Sequence, residues 1–94
     1  FTSNLVDTGR YLQLRLAVST HGGPAVPAAI EQHKLAIISA VLAVLGEAGE
    51  ADVADRAAKD GLRANVRTAI NDVLRRKAGT TGVDEVFFTS LVVQ

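Results

Sequence analysis

The chain has 94 residues, of which 48% are hydrophobic and only 4% aromatic, and its ten basic and ten acidic side chains cancel to a net charge of zero. A chain of this length holds one hydrophobic core, so we expect a single domain over residues 1–94, built from aliphatic side chains in regular elements. A neutral chain lacks the positive surface that nucleic acid binding requires, and the absence of cysteine excludes disulfides, thiolate metal sites and a thiol nucleophile.

A β-hairpin is predicted at the start of the chain. Residues 1–6 and 10–19 flank the turn Asp7-Thr8-Gly9, in which the aspartate can bond the turn backbone and the glycine can take a positive φ. In the second arm, hydrophobic side chains alternate with mostly polar ones, which is the period of a strand with one buried face. The alternating hydrophobic residues are Leu12, Leu14, Leu16 and Val18.

A loop and a helix follow the hairpin. The run His21-Gly22-Gly23-Pro24 breaks the alternation, because two glycines and a proline neither pair well in a ladder nor start a helix interior. Pro27 suits the start of a helix, apolar residues then surround the axis as far as Leu45, and Gly46 ends the helix, which we expect to be mostly buried. Its apolar run, residues 35–45, is shorter than the roughly 20 residues that cross a bilayer, so no membrane span is expected within the chain.

The second half of the chain predicts a short helix, a long amphipathic helix and a closing strand. Residues 46–61 are acidic and small and allow a short helix over 51–59, which Gly61 ends. Apolar residues then recur at helical spacing, and the basic turn Arg75-Arg76-Lys77 suits the negative end of a helix better than it suits binding to acidic lipids or nucleic acid. The apolar residues are Leu62, Val66, Ala69, Ile70, Val73 and Leu74. A flexible connection leads to a strand over residues 83–93.

This order of elements predicts an α+β fold. A hairpin, helices and a final strand can form a two-layer sandwich, in which two main helices cover one side of a three-stranded sheet and a short third helix lies beside them. No internal repeat is visible.

No group of side chains predicts catalysis or metal binding. The two histidines, His21 and His33, have no second His or Cys at ligand spacing, so a packed or solvated imidazole is the preferred interpretation of each. Gly22-Gly23 lacks the lysine of a phosphate loop, and the acidic residues lack the alternating oxygens of a calcium loop. Those acidic residues are Asp52, Asp55 and Asp60. We therefore expect no catalytic residue, no metal and no cofactor.

The closing strand is the candidate for an interface. The hairpin makes the first two strands neighbours, so the closing strand lies at an edge of the sheet with apolar side chains on both of its faces. Strict alternation turns one set of these side chains towards the helices, namely Phe87, Leu91 and Val93. The other set, Val86, Phe88 and Val92, then faces outward, where we expect an oligomer or partner interface. Cover by a loop or by the twist of the hairpin itself remains an alternative.

Several stretches, taken in this order, are similar to one protein family. They are Asn4-Leu5 with Arg10-Tyr11-Leu12, residues 37–45, Leu62 with residues 70–74, and the ending VFFTSLVVQ over residues 86–94. The family ends in an aromatic pair, Thr, a short gap and apolar residues before Gln, and it has an Ile-Asn-x-x-Leu signature where this chain has Ile70, Asn71 and Leu74. Over nearly its whole length the chain resembles the periplasmic domain of the flagellar basal-body protein family FliL. It departs from the family at Gly46-Glu47-Ala48-Gly49 and at Leu35, where the family often has a proline.

The resemblance implies a non-catalytic domain of a single-pass inner-membrane protein. It implies a stomatin-like (SPFH-type) fold in the periplasm, with the membrane helix upstream of Phe1. It further implies that the domain self-associates into rings and binds or stabilises the stator proteins of the flagellar motor, supporting torque for swimming and swarming. A stomatin-like membrane scaffold unrelated to motility is the alternative. A small enzyme or ligand binder is the third hypothesis, and it would require a concave site with convergent polar groups.

Overall fold

A three-stranded antiparallel sheet with helices against one face makes up the fold. The computed structural model describes residues 1–94. The elements in chain order are β1 (Thr2–Asn4), β2 (Tyr11–Thr20), α1 (Ala25–Gln32), α2 (Lys34–Gly46), a 3₁₀ turn (Glu50–Val53), α3 (Arg56–Ala78) and β3 (Val83–Val93). The strand order is β1-β2-β3, so β3 lies at an edge of the sheet, as the sequence predicts. The predicted α+β class is confirmed.

The hydrophobic core lies between the sheet and the helices α2 and α3. One cluster of 15 buried residues joins β2 and β3 to both helices. Leu12 of β2, Val41 and Leu45 of α2, and Val66 and Leu74 of α3 have no exposed surface. Burying one such side chain stabilises the fold by about 1.5–3 kcal/mol relative to leaving it in water. Aliphatic packing therefore holds the two layers together, as the low aromatic content indicates.

The predicted hairpin is present, with a shorter first strand. Asn4 pairs with Tyr11, and Gly9 at the turn has a φ of 69°, the positive value that the glycine was expected to take. β1 covers only three residues. The chain leaves the ladder because the Val6 N–H donates to the carbonyl of Ala48, 3.0 Å away, in the segment after α2. The hairpin loop is thus bonded to the acidic connection between the helices.

Two irregularities in β3 decide which of its side chains reach the core. Arg15 of β2 pairs with Ser90, but the next residue of β2 pairs with Phe88, so Thr89 is an extra residue in the ladder. A second shift at the start of β3 makes Asp84 an extra residue in the same way. Each β-bulge reverses the inward and outward alternation that follows it. Five apolar side chains of β3 therefore share the helix side, namely Val83, Val86, Phe88, Leu91 and Val93.

The bulge at Thr89 corrects the orientation predicted for the closing strand. Val86 is only 3% exposed, and Phe88 is half-buried against the core, so the prediction that these two side chains face outward is wrong. Phe87, which strict alternation turned towards the helices, is 41% exposed instead. The outward position of Val92, 40% exposed, and the inward positions of Leu91 and Val93 agree with the prediction. The prediction failed because strict alternation assumes one residue of β3 for each residue of β2, whereas Thr89 is an extra residue in the ladder.

The single helix predicted over residues 27–45 is two helices. α1 and α2 are bent by 76° at His33, whose φ of −106° and ψ of 24° depart from helical values. The bend lets Val26 of α1 pack beside the loop glycines Gly22 and Gly82, while α2 lies over the sheet. Neither helix has by itself the length and hydrophobicity of a membrane span, and only the bent pair taken together reaches them, on length and composition alone.

The helix α3 is longer than predicted, because Gly61 lies inside it and does not end a separate helix. Asp55 caps its start, where Oδ1 accepts a hydrogen bond of 2.8 Å from the backbone N–H of Ala58. A glycine inside a helix costs about 1 kcal/mol relative to alanine, which burial of the apolar face of α3 offsets. The helix ends at Ala78 and is capped by Gly79, whose φ of 68° is the left-handed value of a helix C-cap.

Candidate functional site

The sheet face turned away from the helices, called here the open sheet face, carries the exposed apolar side chains of the strands. Tyr11, Phe87 and Val92 are 56%, 41% and 40% exposed. Ala17 of β2 lies opposite Phe87, and Arg15 separates this pair from the end of the sheet that holds Tyr11. The open sheet face therefore has two small apolar spots and no continuous apolar patch. Of the three predicted interface residues, only Val92 belongs to it.

A second exposed apolar surface lies on α2. Leu35 is 83% exposed and Leu42 is 38% exposed, and because they are seven positions apart, which is about two helical turns, they lie on one side of the helix. The prediction that this helix is mostly buried is therefore wrong for its outer side. The signal was in the sequence: α2 is apolar all round, and one sheet face can cover only one side of it.

The two histidines lie in different parts of the fold. His21 follows β2, and its Nδ1 lies 2.5 Å from Oδ1 of Asp84 on β3. His33 is half-buried at the bend between α1 and α2. The structure contains no group of three or more His, Cys, Asp or Glu side chains that could hold a metal ion.

The acidic residues of the connection between α2 and α3 bond to the backbone and to basic side chains. Asp52 Oδ2 accepts from the Gly49 N–H at 2.8 Å, in the 3₁₀ turn. Glu50 forms an ion pair of 2.6 Å with Arg10 of the hairpin loop. These carboxylates thus cap turns and connect the hairpin to the helices, which agrees with the interpretation of this segment as a solvated acidic surface.

The basic turn at the end of α3 forms ion pairs within the helix. Arg75 and Arg76 both contact the carboxylate of Asp72, one turn earlier. Both guanidinium groups are largely exposed, and Lys77 completes the last turn. Positive charge at this position interacts favourably with the negative end of the helix dipole. The arrangement agrees with the expected role at the helix end.

Asn71 connects α3 to the start of β3. Its Nδ2 donates to the carbonyl of Val83 at 2.9 Å, and its Oδ1 accepts from the N–H of Val83 at 3.1 Å and from that of Gly82 at 3.3 Å. One turn before Asn71, the Nη1 of Arg67 donates to the carbonyl of Asp84 at 3.0 Å. The amide of Asn71 thus bonds Val83 as a neighbouring strand would. In the sequence, Asn71 was noted only as part of the family signature, and the hydrogen bonds of Asn71 to β3 were not predicted.

The comparison with protein families identifies the chain. No curated protein matches it. A family model described as flagellar basal body-associated protein FliL matches residues 1–94, which is the whole chain. The resemblance that was based on the sequence stretches between Asn4 and Gln94 is thereby confirmed. The chain belongs to the FliL family of flagellar basal body-associated proteins.

Proposed function

We propose that this domain is a non-catalytic accessory of the flagellar motor, which self-associates and binds or stabilises stator units. In this proposal a membrane helix upstream of Phe1 anchors it in the inner membrane, and the domain lies in the periplasm with a stomatin-like arrangement of its layers. The observation that carries the proposal is the match of the family model over residues 1–94. The exposed apolar side chains of the strands and of α2 support it, because such side chains are common in the centres of protein interfaces.

The open sheet face is the surface that we assign to self-association or stator contact, with Phe87 in one of its two apolar spots and Val92 in the other. The solvent-accessible area of Tyr11, Phe87 and Val92 together is on the order of 250 Å². Covering that area contributes about 6 kcal/mol at about 25 cal/mol per Å². Association itself costs at least about 4 kcal/mol. Contact through this face alone is therefore weak, and holding several copies side by side on a membrane would strengthen it by raising their effective concentration.

Two neighbouring phenylalanines allow a matched test. A strain that lacks the gene is complemented with the full-length protein carrying Phe87→Asp, and swimming and swarming are scored. The change keeps the fold, since Phe87 is 41% exposed, but it places a charge in the contact surface, so swarming and co-purification of stator proteins should fall while the protein level stays normal. Phe88→Asp is the comparison, because it puts a carboxylate against the core and should lower the protein level by unfolding.

The exposed residue Thr81 supplies the control for charge. Thr81→Asp adds the same carboxylate in the connection between α3 and β3, outside the open sheet face, so motility should stay at the level of the wild type. Normal swarming of both Phe87→Asp and Val92→Asp would contradict the assignment of the open sheet face. A deletion strain that swims and swarms normally would contradict the motor role itself and favour the membrane scaffold unrelated to motility.

A further inference from the structure

We propose that the outer edge of β3, the side that faces away from β2, binds an extended acidic peptide segment by strand addition. The acidic side chains of the added strand would contact a row of basic side chains on α3, called here the basic stripe and made up of Arg56, Lys59, Arg63 and Arg67. The partner is therefore a protein with an extended segment in which acidic residues alternate with apolar or β-branched ones. The inference uses the fold and its charges and does not depend on the motor role.

The backbone of β3 has free hydrogen-bonding groups along this edge. Tyr11 and Gln94 exchange both of their backbone hydrogen bonds, at 2.9 and 2.8 Å, which fixes which residues of β3 face β2. By the alternation of an antiparallel ladder, the N–H and C=O groups of Val86, Leu91 and Val93 point to the other side. No strand lies there, because β3 is the last strand of the sheet. An edge of this kind is a template for another strand.

The helix α3 satisfies only the beginning of this edge. Asn71 bonds both the N–H and the C=O of Val83, and Arg67 bonds the carbonyl of Asp84. No side chain of α3 bonds the backbone from Val86 onward. The edge is thus closed at Val83 and Asp84, where α3 supplies hydrogen-bond partners, and open from Val86 onward. An added strand can pair with the open part only.

The basic stripe begins beside the closed start of the edge and reaches its open part at Val86 and Phe88. Its members recur at the spacing of three and four residues that places helix side chains on one face. Arg56, Lys59 and Arg63 line a groove of about 350 Å³ together with Asp60 and the half-buried Phe88. The adjoining groove of about 190 Å³ beside Val86 is lined by Arg63 and Arg67 and also by the acidic residues Asp60, Asp84 and Glu85. The stripe therefore follows β3 from Asp84 to Phe88 as α3 runs from Arg67 back to Arg56.

Charge complementarity favours an acidic occupant beside Arg56 and Lys59, where the groove holds three basic side chains and one acidic one. Arg56 and Lys59 form no ion pair, whereas Arg63 is paired with Asp60 of the same helix. Asp84, an acidic residue at the edge, is already engaged by His21. Residues four apart on a helix are separated by about 6 Å, which is close to the roughly 6.6 Å between alternate residues of a strand. Successive acidic side chains of an added strand can therefore each reach a basic side chain of the stripe.

The backbone requirement distinguishes a peptide from other anionic partners. Nucleic acids and lipid headgroups carry negative charge, but they do not present the alternating N–H and C=O groups that the edge of β3 leaves unpaired. A second copy of this chain could present a strand edge, and its association is an outcome that the test below separates.

Isothermal titration calorimetry of the 94-residue chain with synthetic nonapeptides tests the proposal. The probe alternates valine and glutamate; one control replaces each glutamate by lysine, and a second control carries N-methyl groups on the alternate residues whose N–H groups would bond β3. We expect the glutamate peptide to bind, the lysine peptide to show no binding, and N-methylation to weaken binding by at least about tenfold, because it removes the strand-pairing donors. Raising the salt concentration should weaken binding as well, because the charge contacts are screened.

Charge reversal on the protein completes the test. Arg56→Glu combined with Lys59→Glu should weaken the glutamate peptide at least about tenfold, since it removes the two unpaired charges of the stripe. Arg15→Glu combined with Lys34→Glu changes the net charge by the same amount at exposed positions away from this edge and should stay within about twofold of the wild type. Circular dichroism of both double variants checks that each is folded.

Three results would overturn the proposal. The first is equal binding of the N-methylated and unmodified glutamate peptides, because charge alone would then explain the affinity. The second is equal weakening by the two double variants. The third is self-association of the chain, measured by sedimentation, that is lost in the double variant Arg56→Glu with Lys59→Glu. A second copy of the chain would then be the partner that covers the edge. None of these results bears on the motility of the deletion strain, so the two proposals fail separately.

Discussion

Replacing Asn71 by alanine tests how strongly α3 holds the start of β3. The amide group of Asn71 provides both hydrogen bonds of Val83 and a longer one to Gly82. Val83 is 3% exposed, so water has little access to its N–H and C=O groups once the amide is removed. The substitution should therefore lower the free energy of unfolding and loosen the junction between α3 and β3.

The expected magnitude follows from the groups that lose their partners. A buried backbone donor or acceptor left unpaired costs about 1–3 kcal/mol. Because Asn71 itself is half-buried and water can enter part of the space, we take about 1.2 kcal/mol for each of the two groups of Val83. Alanine recovers about 0.5 kcal/mol through its higher helix propensity. The net loss is about 2 kcal/mol, which lowers the melting temperature of a chain this size by about 8–16 °C.

Urea unfolding followed by circular dichroism measures this loss, and hydrogen exchange of the Val83 amide locates it. Asn65→Ala is the matched control, because Asn65 lies on the same helix, is exposed and makes no side-chain hydrogen bond. It should leave the stability unchanged or raise it slightly through helix propensity. A loss below about 0.5 kcal/mol for Asn71→Ala, with unchanged exchange at Val83, would refute the reasoning.

Two further predictions concern glycines and the bulge. Gly61→Ala should raise the stability by about 0.5–1 kcal/mol, since no atom lies within 4 Å of the added Cβ, whereas Gly82→Ala should lower it by about 1–3 kcal/mol, since its Cβ would lie 2.7 Å from Val26 Cγ2. Thermal melts of the two variants should shift in opposite directions, and shifts of the same sign would contradict the geometry. Deletion of Thr89 should cost less than about 2 kcal/mol, because removing the extra residue leaves the pairs Arg15–Ser90 and Leu16–Phe88 in place and keeps Val86 on the core side. Loss of the cooperative melt in circular dichroism would show that Thr89 is not the extra residue of the ladder.

The strand patterns show why part of the sheet was predictable and part was not. In β2 the residues from Tyr11 to Thr20 keep a regular period of two, so Leu12 and Leu14 fall in the core as predicted. In β3 the extra residues Thr89 and Asp84 are polar and look like ordinary outward positions in the sequence. Their effect depends on the ladder with β2, which local patterns do not contain. The orientation was therefore predicted wrongly for Val86 and Phe88, two of the three residues of the candidate interface.

The helices differ from prediction for a related reason. Pro27, the apolar run and Gly46 predict where a helical region begins and ends, but the bend at His33 follows from packing α1 beside the loops and α2 over the sheet. Gly61 was expected to end a short helix, yet the buried face of α3 continues through it. Tertiary burial outweighs a propensity cost of about 1 kcal/mol at such a position.

The position of Tyr11 has a practical consequence. It is the only tyrosine of a chain without tryptophan, and its ring lies on the open sheet face, 56% exposed. Ultraviolet emission from this protein therefore originates at one known place. A dissolved quencher such as iodide reaches that ring in the free molecule, and any protein that covers the face should shield the ring from iodide. Contact at this surface can thus be followed without a label, at the dilution that weak association requires.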